Sequence, residues 1–308
     1  MATEIHAIVN PISGAGRTRR QWPRLATALE TMGWRVHSYV TSAPGEATRI
    51  AAGLLRTGAR ELLSVGGDGT VNEVANGFFH QGQPLAPEAV LSVMPTGTGH
   101  DFGRNIGMPR TPAALATLAA GRISTIDVGC VEFKTDGRPY TRCFLNAADL
   151  GLGALTAARS TGARKLLGSF FTYVVSAVQA IGTFQAQPVR VVVDGTMLSD
   201  GPTAIVLVAN GRFHGGGMRL APMAQMADGW LDVFVLRNVS KPILLLSLLP
   251  RARAGRHVGH PAVHYARGRE VRVYGSRLPL ETDGEYLGST DVRIRVLPQA
   301  LRIRVPAE

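Results

Sequence analysis

"SVGGDGTVNEVANG" (residues 64–77) sets three glycines around one aspartate, directly after the apolar run "ELLSV" (61–65) and directly before residues with helical spacing. A strand that ends in bare backbone and passes at once into a helix is the beginning of a layered α/β unit, and its exposed N–H groups favour an anion. Outward from it the same alternation continues. Towards the N-terminus, "HAIVN" reads as a strand; Trp22, Leu25, Leu29 and Met32 mark one face of a helix; "WRVHSYV" is a second strand; and a helix surrounds Ile50, Ala51, Leu54 and Leu55. Towards the C-terminus a helix from Val71 leads to the strand "AVLSVMP". Two further glycine-rich loops, "NPISGAG" (10–16) and "PTGTGHDFGR" (95–104), also follow strands. Parallel strands bring such loops to one sheet edge, where ligands of open α/β folds bind.

After "TIDVG" (125–129) the pattern changes to strand runs joined by Asp-Gly and glycine-rich turns: "CVEFKTDGRPY", "VRVVVDG", "TAIVLVANG", "WLDVFVL" and "REVRVYG". This predicts an antiparallel β domain. The tail carries two alternating runs, Val292, Ile294 and Val296, then Leu301, Ile303 and Val305, with Arg293, Arg295, Arg302 and Arg304 facing away. The expected domains are 1–127 and 128–292, with a strand at about 293–308 returning to the first. Leu166 to Val189 holds no charged residue, but Ser169, Thr172, Ser176, Gln179 and Gln185 interrupt it while Phe170, Val174, Val178 and Ile181 keep a helical stripe. A helix packed on the β domain is expected there rather than a membrane span.

The chain has 308 residues, about twice a typical domain, and a formal net charge of +11. That charge suits nucleic acid or an anionic membrane, though lysine occurs only at 134, 165 and 241, so a GC-rich genome, which favours arginine, accounts for it equally well. "MATEIHAIVNP" carries no export signal, so a cytoplasmic protein is expected. Cys130 and Cys143 form no C-x-x-C pair or spaced framework and are expected to be buried, reduced thiols.

The chemistry follows from the loops. No Gly-Lys dipeptide exists for a P-loop, and "GTGHDFG" misses the dinucleotide fingerprint. An aspartate beside phosphates is tolerable only if a divalent cation lies between them, and Mg²⁺ takes one or two carboxylates, phosphate oxygens and waters. Aspartates at strand ends also cap helices and close turns, which is the competing reading of Asp68, Asp101 and Asp127. "DGEY" around Glu285 can likewise be a plain hairpin turn.

"NPISG", "GGDGTVNEVANG", "PTGTGHDFGR", "IDVG", "NGRFHGGGMRLAPMAQMADGWLDVFVL" and "TDGE" resemble, in order and across essentially the whole chain, the diacylglycerol and sphingosine kinase family in its soluble bacterial form. The GGDG core is shared with NAD kinases and related to phosphofructokinases. The resemblance implies a Rossmann-like α/β domain, a C-terminal antiparallel β-sandwich, and an active site in the cleft between them. It implies ATP-dependent phosphorylation of a lipid hydroxyl, with diacylglycerol as the expected acceptor and phosphatidic acid as the product. Asn10, Pro11, Ile12, Ser13, Gly14, Thr41, Gly66, Gly67, Asp68, Gly69, Thr70, Val71, Asn72, Glu73 and Thr98 would contact the nucleotide. Asp68, Asp101, Asp127, Asp283 and Glu285 would form the acidic catalytic set holding Mg²⁺, with Glu285 as general base on the lipid hydroxyl. Gln225, Asp228 and Trp230 in "QMADGW" would hold a second, structural magnesium; the competing reading of Asp228-Gly229 is a turn. A homodimer is left open, and no nucleic acid is implied.

His100 departs from the family, where an asparagine commonly precedes the aspartate; it could order Asp101 or be a neutral change. "HVGHPAVH" (257–264) has histidines at zinc-like spacing, but Gly259 and Pro261 break the helix that spacing needs. "SKPILLLSLLPRARAGRH" (240–257) couples an apolar run to arginines, as an interfacial segment on an anionic membrane does, and equally as a core-facing helix with solvated arginines does. The other readings are an NAD kinase, disfavoured by "PTGTGHDF" and "DGE", and a non-catalytic regulatory protein on the same fold.

Overall fold

A computed structural model describes residues 3–135, 137–161 and 169–307, with the side chains of 3, 160, 161 and 169–174 excepted. The start of the uncharged segment, Leu166 to Gly168, therefore lies outside the described residues, as do the side chains of Ser169, Phe170, Thr172 and Val174. The chain divides into two compact units, Met1–Ile126 with Gln299–Glu308, and Asp127–Pro298.

The first unit runs β1 (Thr3–Val9), α1 (Arg17–Thr31), β2 (Trp34–Val40), α2 (Glu46–Arg56), β3 (Glu61–Gly66), α3 (Asp68–Asn76), β4 (Val90–Pro95), α4 (Asp101–Asn105) and α5 (Ala114–Ala120). β1 lies between β2 and β3, β3 pairs with β4, and all three pairings are parallel. β3 and β4 are buried along their whole length, as parallel strands covered on both faces must be. The stripe Trp22, Leu25 and Leu29 of α1 packs on Ile5, Ala7, Val9, Leu63 and Val65. Met32, expected on that stripe, is 45% exposed. It is the C-cap residue, and Gly33 follows at φ 89, so the helix has ended before Met32 can reach the apolar face.

The second unit contains β5 (Arg122–Thr135, entering from the first unit), β6 (Arg138–Phe144), β7 (Ala147–Gly151), α6 (Leu152–Thr161), α7 (Ser169–Thr183), β8 (Gln187–Val193), β9 (Thr196–Ala209) and β10 (Leu231–Arg237). A helix at 241–253 follows, here α8, whose middle turn Leu244–Leu248 is π-helical. Then come β11 (Val263–Gly268), β12 (Glu270–Gly275), β13 (Pro279–Thr282), β14 (Glu285–Ser289) and β15 (Val292–Val305). It is the antiparallel β-sandwich that the sequence predicts. Its core is rich in β-branched residues, among them Val131, Val191, Val206, Val233, Val273 and Ile294, which suit a pleated, half-buried surface.

β15 explains the two alternating runs of the tail. Residues 292–295 pair antiparallel with β12, whereas Arg302 and Ile303 pair parallel with β4. Between them Gln299 adopts φ 49, and the buried positions change from even to odd numbers across it. The arginines are not uniformly solvated as the alternation suggests. Arg304 holds the buried Glu61 through both oxygens, at 2.8 and 2.7 Å, and Ser92 Oγ donates to Glu61 Oε1 at 2.6 Å.

The cysteine expectation is overturned: Cys130 and Cys143 form a disulfide. The reason is register, since the β5–β6 ladder sets Cys130 directly opposite Cys143, with their Cα atoms 4.1 Å apart. A separation of 13 residues in sequence carries no hint of that pairing. Thiol titration of the unreduced chain unfolded in guanidinium is expected to find no free thiol, and about two after reduction.

Candidate active site

The parallel register puts the ends of β1, β3 and β4 side by side, Val9 beside Val65 and Gly66 beside Pro95. The three glycine-rich loops therefore meet at one edge of the first unit. They are stitched together by hydrogen bonds. Asn10 Nδ2 donates to Thr70 Oγ1 at 3.0 Å, and Arg17 donates to the carbonyls of Thr96 and Gly97 at 3.2 Å each. Thr18 Oγ1 lies 2.6 Å from Thr96 Oγ1. Backbone approach is what the glycines permit: a Cβ on Gly97 would stand 2.3 Å from Gly67 Cα, well inside any real contact.

A pocket beside these loops is lined by Asn10, Ile12, Thr41, Pro44, Thr70 and Glu73, among others, so five of the residues expected at the nucleotide share one cavity. Thr98 lies on the third loop, where its carbonyl accepts from Arg110 at 3.3 Å. Val71 and Asn72 have buried side chains, and only their backbone could meet a ligand. Glu73 Oε2 accepts the Ala47 N–H at 3.3 Å, a structural contact at the start of α2.

Asp68 and Asp101 are neighbours. Asp68 Oδ2 accepts the Asp101 N–H at 3.1 Å and Oδ1 the Phe102 N–H at 3.2 Å, so Asp68 caps α4 while sitting in the first turn of α3. Asp101 is held by Arg104 at 2.8 Å. The neighbouring His100 is buried and turned into the loop behind α4, its Nε2 2.8 Å from the Met108 carbonyl. Burial, reinforced by Arg110, pushes its pKa down; a neutral ring donating from Nε2 holds residues 100–108 together.

Asp127, Asp283 and Glu285 belong to the second unit. Asp127 Oδ2 accepts the Gly229 N–H at 2.7 Å. Asp283 gathers three backbone donors, Leu145 at 2.7 Å, Asn146 at 2.9 Å and Ala147 at 3.1 Å, so its carboxylate shapes that turn. Asn210 ties the two places together, donating at 2.9 Å to the carbonyls of both Asp127 and Leu145. Its position at the head of "NGRFHGGG" is the signal that could have singled it out. Glu285 opens β14 and forms an ion pair with Arg142, a partner nothing in the sequence marks.

The same unit holds a second, apolar pocket. Leu152, Ile181, Leu207, Phe234, Leu244 and Leu248 are among its walls, around about 810 Å³ of open space with its mouth included. Asp149 is the acidic residue in that wall, 2% exposed, and burial drives its pKa well up. An unpaired buried polar atom costs about 1–3 kcal/mol, so the sandwich bears it against its own stability. Its signal in the sequence is one carboxylate inside the otherwise apolar "AADLGLGAL" (147–155).

Residues 4–131 match the diacylglycerol kinase catalytic domain, and residues 147–305 match the YegS C-terminal NAD kinase beta sandwich-like domain. The chain belongs to the diacylglycerol kinase family. Curated relatives named diacylglycerol kinase include one from Staphylococcus saprophyticus, 27% identical over 308 residues with 99% of this chain and 96% of that protein covered. Another, from Staphylococcus carnosus, is 26% identical over 310 residues, covering 100% and 97%. A crystal structure of a diacylglycerol kinase from Bacillus anthracis superposes with a TM-score of 0.71 at 19% identity, covering 99% of this chain and 97% of that one, a likeness of fold. The chain is thus a lipid kinase, and this kinase family uses ATP and usually a divalent metal.

Among the described residues of the kinase, no three His, Cys, Asp or Glu side chains stand together to ligate a metal directly. Asp68, whose Oδ2 lies against the backbone of Gly99 in the third loop, is of the donor type that Mg²⁺ accepts beside phosphate oxygens and water. Asp228 fits a cation poorly. It pairs with Arg267, its Oδ1 accepts the Trp230 N–H at 3.1 Å, and Arg269 lies 4.8 Å over the Trp230 ring. In the kinase the "QMADGW" turn is thus braced by arginine. The histidines of 257–264 form no metal group either; His257 lies 3.1 Å from the Leu220 carbonyl and His260 Nδ1 accepts the Ala262 N–H at 3.1 Å.

Proposed function

We propose that the chain transfers the γ-phosphoryl group of ATP to the hydroxyl of a diacylglycerol, giving phosphatidic acid. The observation that carries the acceptor class is the apolar pocket of the second unit: its leucine, isoleucine and phenylalanine walls suit acyl chains and offer little to a dinucleotide such as NAD. In this reading the loops at 10–16, 66–73 and 95–104 bind the triphosphate. Asp68 contributes negative charge to a bound Mg²⁺, which offsets the charge of the phosphate oxygens. Glu285, oriented by Arg142, accepts the proton of the attacking hydroxyl. Incubation with labelled ATP, Mg²⁺ and mixed micelles of lipid alcohols is expected to label phosphatidic acid; transfer to NAD alone overturns the proposal.

The acceptor of such an enzyme lies in a bilayer, and α8 is the segment suited to reach it. Leu244 and Leu248 line the pocket, while Leu246 is 82% exposed, and the exposed Arg251, Arg253 and Arg256 follow it in the chain. Leu246→Glu is expected to lower the fraction of protein floating with anionic vesicles about tenfold, since an inserted leucine contributes about 1.5–3 kcal/mol. The melting temperature should not change, because the side chain packs on nothing. Flotation equal to the wild type removes α8 from membrane docking. Among the described residues no helix is long and apolar enough to cross a membrane.

A further inference from the structure

Asp149, the acidic group of the apolar pocket wall, is buried between two strands. In the antiparallel register of the second unit it stands opposite Glu281 of β13 on one side and opposite Leu207 of β9 on the other. Its Oδ1 has no hydrogen-bond partner among the described residues. The following turn keeps close to it, since a Cβ on Gly153 would come within 1.9 Å of Asp149 Oδ2. The neighbouring polar groups are engaged with each other: Glu281 Oε1 lies 2.7 Å from His214 Nε2, and Glu281 Oε2 accepts the Gly284 N–H at 2.5 Å. A sandwich packed only for stability would carry an apolar side chain here.

We propose that Asp149 determines acceptor specificity: its carboxyl group seats an ester oxygen of an uncharged glyceride head, with the Glu281–His214 pair beside it. The inference rests on the lipid-kinase reading above and names the chemistry that the pocket selects. Burial first, and then the Glu281 charge, favour the protonated form of Asp149, against the opposing pull of His214. The other titratable group in the pocket wall is His257, whose pKa burial lowers. A protonated carboxyl donates one hydrogen bond from O–H, which fits a neutral oxygen acceptor. A long-chain ammonium would instead need the ionised form, in a place where burial and a second carboxylate oppose it.

The test uses the full chain with Asp149→Asn and Asp149→Leu. Binding of a fluorescent diacylglycerol in detergent micelles, measured without ATP, is expected to weaken about tenfold in Asp149→Leu and to stay within about threefold of wild type in Asp149→Asn. In turnover, KM for diacylglycerol should rise by the same factor in Asp149→Leu while KM for ATP stays put. A plain long-chain alcohol, which has no ester, should be used equally by wild type and both variants. Equal diacylglycerol binding by wild type and Asp149→Leu overturns the inference whether or not any lipid is phosphorylated, which separates it from failure of the kinase reading. A sphingoid base preferred by the wild type and lost in Asp149→Asn overturns it as well, in favour of an ammonium site. Both variants should also melt higher than wild type, by a margin that widens as pH rises above the ordinary carboxyl range. The folded state holds a proton there that the unfolded chain, with its ordinary carboxyl, has lost, so wild-type stability falls as pH rises.

Discussion

Asp68→Ala is expected to lower phosphoryl transfer to lipid about a hundredfold or more, the loss typical when a group that stabilises transition-state charge is removed. Two roles of this side chain must be separated. In the fold it caps α4, accepting the Asp101 and Phe102 N–H groups at 3.1 and 3.2 Å. Loss of such a cap costs about 1 kcal/mol, roughly 2–4 °C in melting temperature for a chain of this size. Asp68→Asn keeps an oxygen for the cap but lacks the charge that a magnesium–triphosphate needs. It should recover part of the melting temperature, since one of the two N–H groups keeps its acceptor, and leave turnover near that of Asp68→Ala. Turnover restored by asparagine would make Asp68 a cap and nothing more, and the answer to why an aspartate stands among those glycines would be structural.

Glu285→Gln is expected to lower turnover by a similar factor, about a hundredfold or more, with KM for ATP within about threefold of wild type. Glutamine matches the shape of glutamate and can still accept a hydrogen bond from Arg142, so the start of β14 is preserved, but it cannot take a proton from the lipid hydroxyl. The control is Arg142→Gln, which should have a smaller effect than Glu285→Gln because it disturbs orientation rather than removing the base. A Glu285→Gln enzyme with near-normal turnover would remove Glu285 from the chemistry and leave its ion pair as a hairpin contact.

Much of the architecture was legible in single stretches. Alternation of apolar runs with helical stripes marked the parallel sheet, Asp-Gly turns marked an antiparallel β domain, and two alternating runs marked the tail strand, whose change of phase at Gln299 only the structure shows. Each of these signals is local, a period of two or of about 3.6 residues set by backbone geometry. The expectations that failed depended on position rather than period: Met32 fell one step past the end of its helix, and Arg304 found a buried carboxylate instead of solvent.

By itself the sequence determined the two fold types, the glycine loops after strands, and the family they resemble, because all of these are written in residues close along the chain. Tertiary structure alone decided which donor each aspartate accepts, that Cys130 faces Cys143, and that Asp149 stands in an apolar wall beside Glu281. Those pairings follow from strand register, which joins residues up to about 140 positions apart, and no short-range pattern records which carboxylate will end up without a partner.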